Sequence, residues 1–208
     1  MIREILIWPS PVLARKCEEV SIRPEYSSAP PFHEDIHRLL NDMVETMIAN
    51  GGAGLAAPQV GFNLRLVTLM VEAPLADSEK AEAGRARTKF VPVKLVNPRI
   101  VERKGSQLVR EGCLSMPGYF EMVRRSTYVR VVAKNEMGAD IEIGGDGKLA
   151  QALQHELEHL DGVCFIDHLS ILKKNLARQK FVKAKAKGLR YRADKPDAQD
   201  FTEIAPVA

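Results

Sequence analysis

An α+β fold with a largely antiparallel sheet is what this sequence predicts, on three observations. Apolar residues recur at three- and four-residue steps from Ile36 to Ile48, the period of an amphipathic helix. Segments rich in β-branched residues then follow one another between Leu64 and Ile143. The helical period returns only at Leu149, Leu153, Leu157 and Leu160. Strands first and helix afterwards is the order of an α+β domain.

Each element has its own signal. The first 31 residues carry Pro9, Pro11, Pro24, Pro30 and Pro31 and read as an irregular N-terminal arm. Ile36, Leu39, Leu40, Met43, Val44, Met47 and Ile48 make the first helix, and Asn50-Gly51-Gly52 stops it. Leu64 to Val71 is a strand by β-branched content, and Glu72 to Arg87, polar and Ala-rich, reads as an exposed loop. Strand character resumes from Val91 to Val101. Tyr128 to Ala133 and Asp140 to Ile143 flank Gly138 as a hairpin. Asp146 is a candidate N-cap for the helix that follows. Phe165, Leu169, Leu172 and Leu176 suggest a last helical stripe, and residues 193–208 lack periodicity.

Composition bounds the class. At 208 residues, 45% apolar and 27% charged, the chain can bury one substantial core. No apolar run approaches the ~18 residues of a membrane span. Met1 to Lys16 lacks the layout of a secretory signal, so a cytoplasmic protein is expected, with no membrane partner. Cys17, Cys113 and Cys164 are an odd count without framework spacing, which fits a reducing compartment. The net charge of +3 hides an asymmetry: Lys173 to Arg192 holds nine Lys/Arg and no acid, so the remainder is net acidic.

Two stretches carry candidate chemistry. Gly52-Ala53-Gly54-Leu55-Ala56-Ala57 matches G-x-G-x-x-A, the dinucleotide fingerprint, but a helix precedes it and Pro58 follows, where that motif needs a strand before and a helix after. The glycines instead suit close approach of a ligand backbone. His155-Glu156-Leu157-Glu158-His159 is H-E-x-x-H, which stacks two imidazoles on one helix face for a metal and sets a Glu beside them as general base. A catalytic site needs a third ligand. The position of a downstream His is Phe165, and the only Glu after Glu158 is Glu203, so the familiar protease solutions are missing. His168 stays a candidate, though a lone His before an apolar stripe is more often a packing or capping residue. Cys113, between Gly112 and Pro117-Gly118 and so displayed on bent backbone, is favoured over Cys17 and Cys164.

Taken together, Gly52-Ala53-Gly54-Leu55-Ala56-Ala57-Pro58-Gln59, Glu111-Gly112-Cys113-Leu114-Ser115 and Gln154-His155-Glu156-Leu157-Glu158-His159 resemble the three signature motifs of the peptide deformylases, in that family's order. The resemblance covers about residues 1–175, implying a catalytic domain there and a basic helical extension with a tail over 176–208. It implies antiparallel strands around a central metal-binding helix, with an N-terminal helix and a basic C-terminal one. The substrate it implies is the N-formylmethionyl end of a nascent peptide. Cys113, His155 and His159 would hold the metal, Fe2+ in cells, although such a donor set also accepts Zn2+, Ni2+ or Co2+. Glu156 would be general base, and Gln59 with the Leu114 backbone N–H would stabilise the oxyanion. Gly52, Ala53, Gly54 and Gly112 would receive the substrate backbone. Three departures stand out: Glu158 replaces the usual Asp, Gln151 a common aliphatic residue, and Tyr119-Phe120 an Arg that contacts substrate in some members. The resemblance also suggests that Lys173 to Arg192 docks on the ribosome, so removal of residues from Asn175 onward is expected to spare turnover of a free formyl-peptide. A monomer is expected.

Overall fold

The structure, a computed structural model, describes residues 1–22, 32–74 and 88–188. Helix α1 spans Glu34–Ala49. Strands β1 (Gly54–Ala56), β2 (Leu66–Pro74) and β3 (Thr88–Lys104) follow, then β4 (Gln107–Cys113), β5 (Met116–Arg125), β6 (Tyr128–Lys134) and β7 (Asp140–Asp146). Helices α2 (Gly147–Leu160) and α3 (Ile171–Ala186) complete it. Five strands form one antiparallel sheet in the order β1-β2-β3-β6-β7, and β4-β5 is a separate two-stranded hairpin. The α+β class with antiparallel sheets therefore holds.

Alternation along the strands assigns the two faces of the large sheet. Leu55, Leu66 and Val96 pack with Leu40, Met43 and Met47 of α1. Their neighbours Ala56, Val67, Leu69 and Leu95 pack with Ala150, Leu153, Leu157 and Leu160 of α2. The Leu stripe of α2 is thus buried on the sheet, and its opposite face, with His155 and His159, is buried too, against the hairpin side. A third cluster joins Trp8 and Leu13 of the arm to Met116, Val123, Phe165 and Phe181.

Among its described residues the arm has a short 3-10 turn at Pro11–Ala14 and otherwise no helix or strand, yet it ties the site together. Leu6 N–H donates to the Gln59 carbonyl and Trp8 N–H to the Ser115 carbonyl, both at 2.8 Å. Asn97, at φ 51°, accepts from Val20 N–H at 2.8 Å and donates to its carbonyl at 2.9 Å. Pro24, Pro30 and Pro31 lie outside the described residues.

Several expectations need correction. Glu72 to Pro74 belongs to β2, paired with β3 across from Phe90 to Thr88; the remainder of the expected loop, 75–87, lies outside the described residues. Asp146 occupies the N-cap position of α2 without a side-chain capping bond. The hairpin β4-β5 was not anticipated: Cys113 ends a strand, and the turn is at Leu114 and Ser115, with Pro117 and Gly118 inside β5. The last apolar stripe also fails. Ser170 starts a new helix by accepting from Lys173 N–H, which resets the helical phase. Leu172 and Leu176 are then 70% and 41% exposed, whereas Ala177 and Phe181 are buried. The boundary expected after residue 175 falls inside α3, and the segment beyond it supplies core. Removing residues from Asn175 onward would expose Trp8 and Tyr119, whose rings meet Phe181 edge-on at 6.0 Å, so that deletion is not a neutral one. Residues 189–208 lie outside the described residues.

Candidate active site

The site forms where α2 meets the ends of β1 and β4. Stacking four residues apart, His155 and His159 have ring centroids 4.9 Å apart. Cys113, at the end of β4, brings Sγ to 3.3 Å from His159 Nε2. Ligand atoms of Cys113, His155 and His159 all lie within 4.8 Å of one another. His168, the other third-ligand candidate, is not in this group; its Nε2 stands 2.8 Å from Glu158 Oε2. Cys164 is buried core whose Sγ lies 3.8 Å from His159 Nδ1, and burial pushes its thiol up, with Cys113 adding to the rise. Cys17 is buried beside the C-terminal end of α2, its N–H donating to the Leu160 carbonyl.

Glu111 was not singled out by its residue type alone, though it opens the second motif. Its Oε1 lies 2.5 Å from His155 Nδ1, so Nε2 is the ring nitrogen left to face Cys113. A carboxylate on the outer nitrogen fixes tautomer and ring orientation. Arg125 grips both oxygens of Glu111, Nη2 at 2.6 Å and Nε at 2.8 Å, and reaches Glu158 with Nη1 at 2.6 Å. Burial alone would raise the Glu111 carboxyl; the hydrogen bonds from Arg125 and His155 outweigh it and hold the group at about 2. Arg125 had no local sequence signal. The longer side chain at 158 spans Arg125 and His168 together.

Glu156 is 4% exposed, and its Oε2 has no hydrogen-bond partner among the described residues. Burial pushes its carboxyl up to about 7, His155 opposing and Glu111 adding to the rise. A cation held by the three ligand side chains would also oppose that rise. Gly54 makes room for it: a Cβ there would sit 2.6 Å from Glu156 Cγ. Gln59, 1% exposed, accepts from Ala56 N–H at 2.8 Å through Oε1. That bond turns its Nε2 toward Cys113 Sγ at 3.4 Å and Ser115 Oγ at 3.3 Å. Leu114, Gly52, Ala53, Gly54 and Gly112 line the same open cavity of about 440 Å3. At Gly112 a Cβ would meet the Phe120 ring at 2.5 Å, so the glycine lets that ring lie against the strand. Gln151 also lines the cavity and donates to the Arg110 carbonyl at 3.0 Å.

A cysteine sulfur and two imidazoles form a donor set suited to a hydrolytic divalent ion, with the buried Glu156 carboxyl beside it. Residues 2–175 match the family described as polypeptide deformylase. The chain belongs to the peptide deformylase family. Peptide deformylase of Thermodesulfovibrio yellowstonii is 38% identical over 180 residues, 86% of this chain and 96% of that relative. The crystal structure of a peptide deformylase from Legionella pneumophila is 36% identical, with TM-score 0.71, covering 92% of this chain and 100% of the other. That of the Ehrlichia chaffeensis enzyme in complex with actinonin is 31% identical, with TM-score 0.72, covering 90% and 99%. As a peptide deformylase this chain is a hydrolase of protein biosynthesis, removing the formyl group from the N-terminal formylmethionine of nascent polypeptides. The Cys-His-His group is the metal-binding group of a metalloenzyme family. No helix among the described residues is long and apolar enough to cross a membrane.

Proposed function

We propose that deformylation proceeds in the cavity between α2 and β4, with Glu156 as the proton-transfer group. The observation that carries this reading is a buried carboxylate oxygen without a partner among the described residues, in the cavity where three ligand side chains converge. Such a group is costly unless a substrate or water engages it. Cys113, His155 and His159 would hold one divalent ion, which when bound supplies Lewis acidity and makes water a better nucleophile at neutral pH. α2 is then the central metal-binding helix, braced by the sheet on one side and the hairpin on the other.

Water attacks the formyl carbon, and the C–N bond to the methionyl nitrogen breaks, giving formate and a free amine. Glu156 takes the attacking water's proton and delivers it to the departing nitrogen. The Gln59 side-chain amide and the Leu114 backbone N–H stabilise the negative charge developing on the formyl oxygen, a role in which one donor is typically worth about 3–4 kcal/mol. Gly52, Ala53, Gly54 and Gly112 border the path along which the substrate backbone lies as an added strand. Gln151 gives the cavity a polar wall where the methionine side chain is received.

Fe2+ is the ion proposed for the cell on the family resemblance; a thiolate with two imidazoles would also accept Zn2+, Ni2+ or Co2+. Metal analysis of protein purified without oxygen should find iron; full activity with Zn2+ alone would count against it. The protein is proposed to act as a cytoplasmic monomer.

The exposed side of α3 is proposed to contact the ribosome. Its lysines are divided by role: Lys173 pairs with Glu121 at 2.8 Å, and Lys185 donates to the Pro9 carbonyl at 3.0 Å. Lys183 and Lys187 are exposed. Reversing Lys183 and Lys187 to Glu should weaken ribosome co-sedimentation at low salt and leave turnover of a free formyl-peptide unchanged, since phosphate contacts are salt-dependent. Unchanged co-sedimentation would remove this role.

A further inference from the structure

The hairpin β4-β5 presents two unlike faces. On its inner face it buries Glu111, Val123 and Arg125. Outward, the register aligns Leu108 with Arg124, Arg110 with Met122, and Gly112 with Phe120. Leu108 is 57% exposed, Phe120 51% and Met122 51%. Arg110 and Arg124 are exposed between them, and the strip contains no acidic residue. The Arg110 guanidinium stacks on Phe120, 4.3 Å from the ring centroid. Three large apolar side chains interleaved with two arginines on one solvent face are the kind of patch that marks a contact surface.

The strip is continuous with the catalytic cavity. Gly112 and Phe120 line that cavity, and exposed Lys148 stands at its rim. From Gly112 to Leu108 is four residues of strand, about 13 Å, the reach of about four extended residues. A nascent polypeptide whose first residues fill the cavity must continue somewhere, and this face begins where the cavity opens.

We propose that the outer face of β4-β5 is a docking strip for the nascent chain downstream of the residues held in the cavity, favouring apolar and acidic side chains there. Leu108 and Met122 give apolar contact, and Arg110, Arg124 and Lys148 set the charge preference. The inference rests on the deformylase reading of the cavity and adds a selectivity that a tripeptide cannot report.

The test uses the metal-loaded enzyme with formyl-Met-Ala-Ser and two formylated ten-residue peptides sharing that start. One continues with Leu and Glu, the other with Ser and Lys. The Leu/Glu peptide should show a KM lower than the tripeptide by about three- to tenfold, tenfold corresponding to about 1.4 kcal/mol, with kcat similar. Leu108→Ser with Met122→Ser should remove that advantage while leaving the tripeptide unchanged. Arg110→Glu should reverse the preference between the long peptides, more so at low salt. Equal KM values for all three peptides in the unaltered enzyme would overturn the proposal. So would an unchanged long-peptide advantage in the double variant, or a change confined to ribosome co-sedimentation, which would assign the strip to another partner. Loss of tripeptide turnover in the unaltered enzyme would instead refute the reading of the cavity.

Discussion

Glu156→Gln should lower kcat/KM for formyl-Met-Ala-Ser by about 100- to 10,000-fold, the range typical of a positioned general acid–base group. The replacement keeps the side chain's shape, so the ligand side chains Cys113, His155 and His159 should still bind metal. Metal content measured beside turnover separates the two effects, and turnover that survives would make the general-base assignment wrong. The pH profile adds a sign. A base must be ionised to act, so activity rises as pH rises through its pKa. Burial shifts Glu156 upward, toward about 7, which moves the acid limb from the ordinary carboxylate range toward neutrality, and a bound cation moves it partly back. That limb should vanish in Glu156→Gln. Gly54→Ala offers a geometric counterpart, because the added Cβ meets Glu156 Cγ at 2.6 Å and must displace the carboxylate.

Arg125→Met should cost stability, about 3–5 kcal/mol, because it strands a buried carboxylate without its cation. The Arg125 and Glu111 side chains are each 2% exposed, and Glu158 is 19% exposed. For a chain of this size the loss corresponds to a Tm lower by about 6–20 °C. The same pair predicts acid sensitivity. Glu111 sits at about 2 against an ordinary 4.5, a depressed pKa, so its contribution is fully present above about pH 4.5 and is lost as pH falls toward 2. The difference is about 3 kcal/mol by linkage. Urea unfolding across that window should show the loss in the unaltered protein and not in Glu111→Gln. If Arg125→Met unfolds at the same urea concentration as the unaltered protein, the buried network does not hold the site. A substitution at 125 should also loosen metal binding, since Glu111 orients His155.

Legibility followed the range over which each signal acts. α1 and α2 were readable because burial against one face repeats every three to four residues, and the β6-β7 hairpin because its turn and alternation agree. The β4-β5 hairpin was not. Its inner face carries Glu111 and Arg125, which are buried because they pair, while Leu108, Phe120 and Met122 face water. Alternation of polar and apolar residues therefore points the wrong way there. The stripe through Leu172 and Leu176 failed because a cap at Ser170 restarted the helix in another phase.

Residues close in sequence determined the chemistry on offer. Four-residue spacing put His155 and His159 on one face with Glu156 between them, local backbone favoured Cys113, and only the family resemblance pointed to Gln59 and Leu114. Tertiary structure alone decided what those groups meet. Cys113 reaches His159 from 46 residues away, Arg125 reaches Glu111 and Glu158 from 14 and 33, and Phe181 closes a core with Trp8. No local pattern encodes such pairings, because a buried ion pair or an edge-on ring contact is specified only by the partner that the folded chain brings to it.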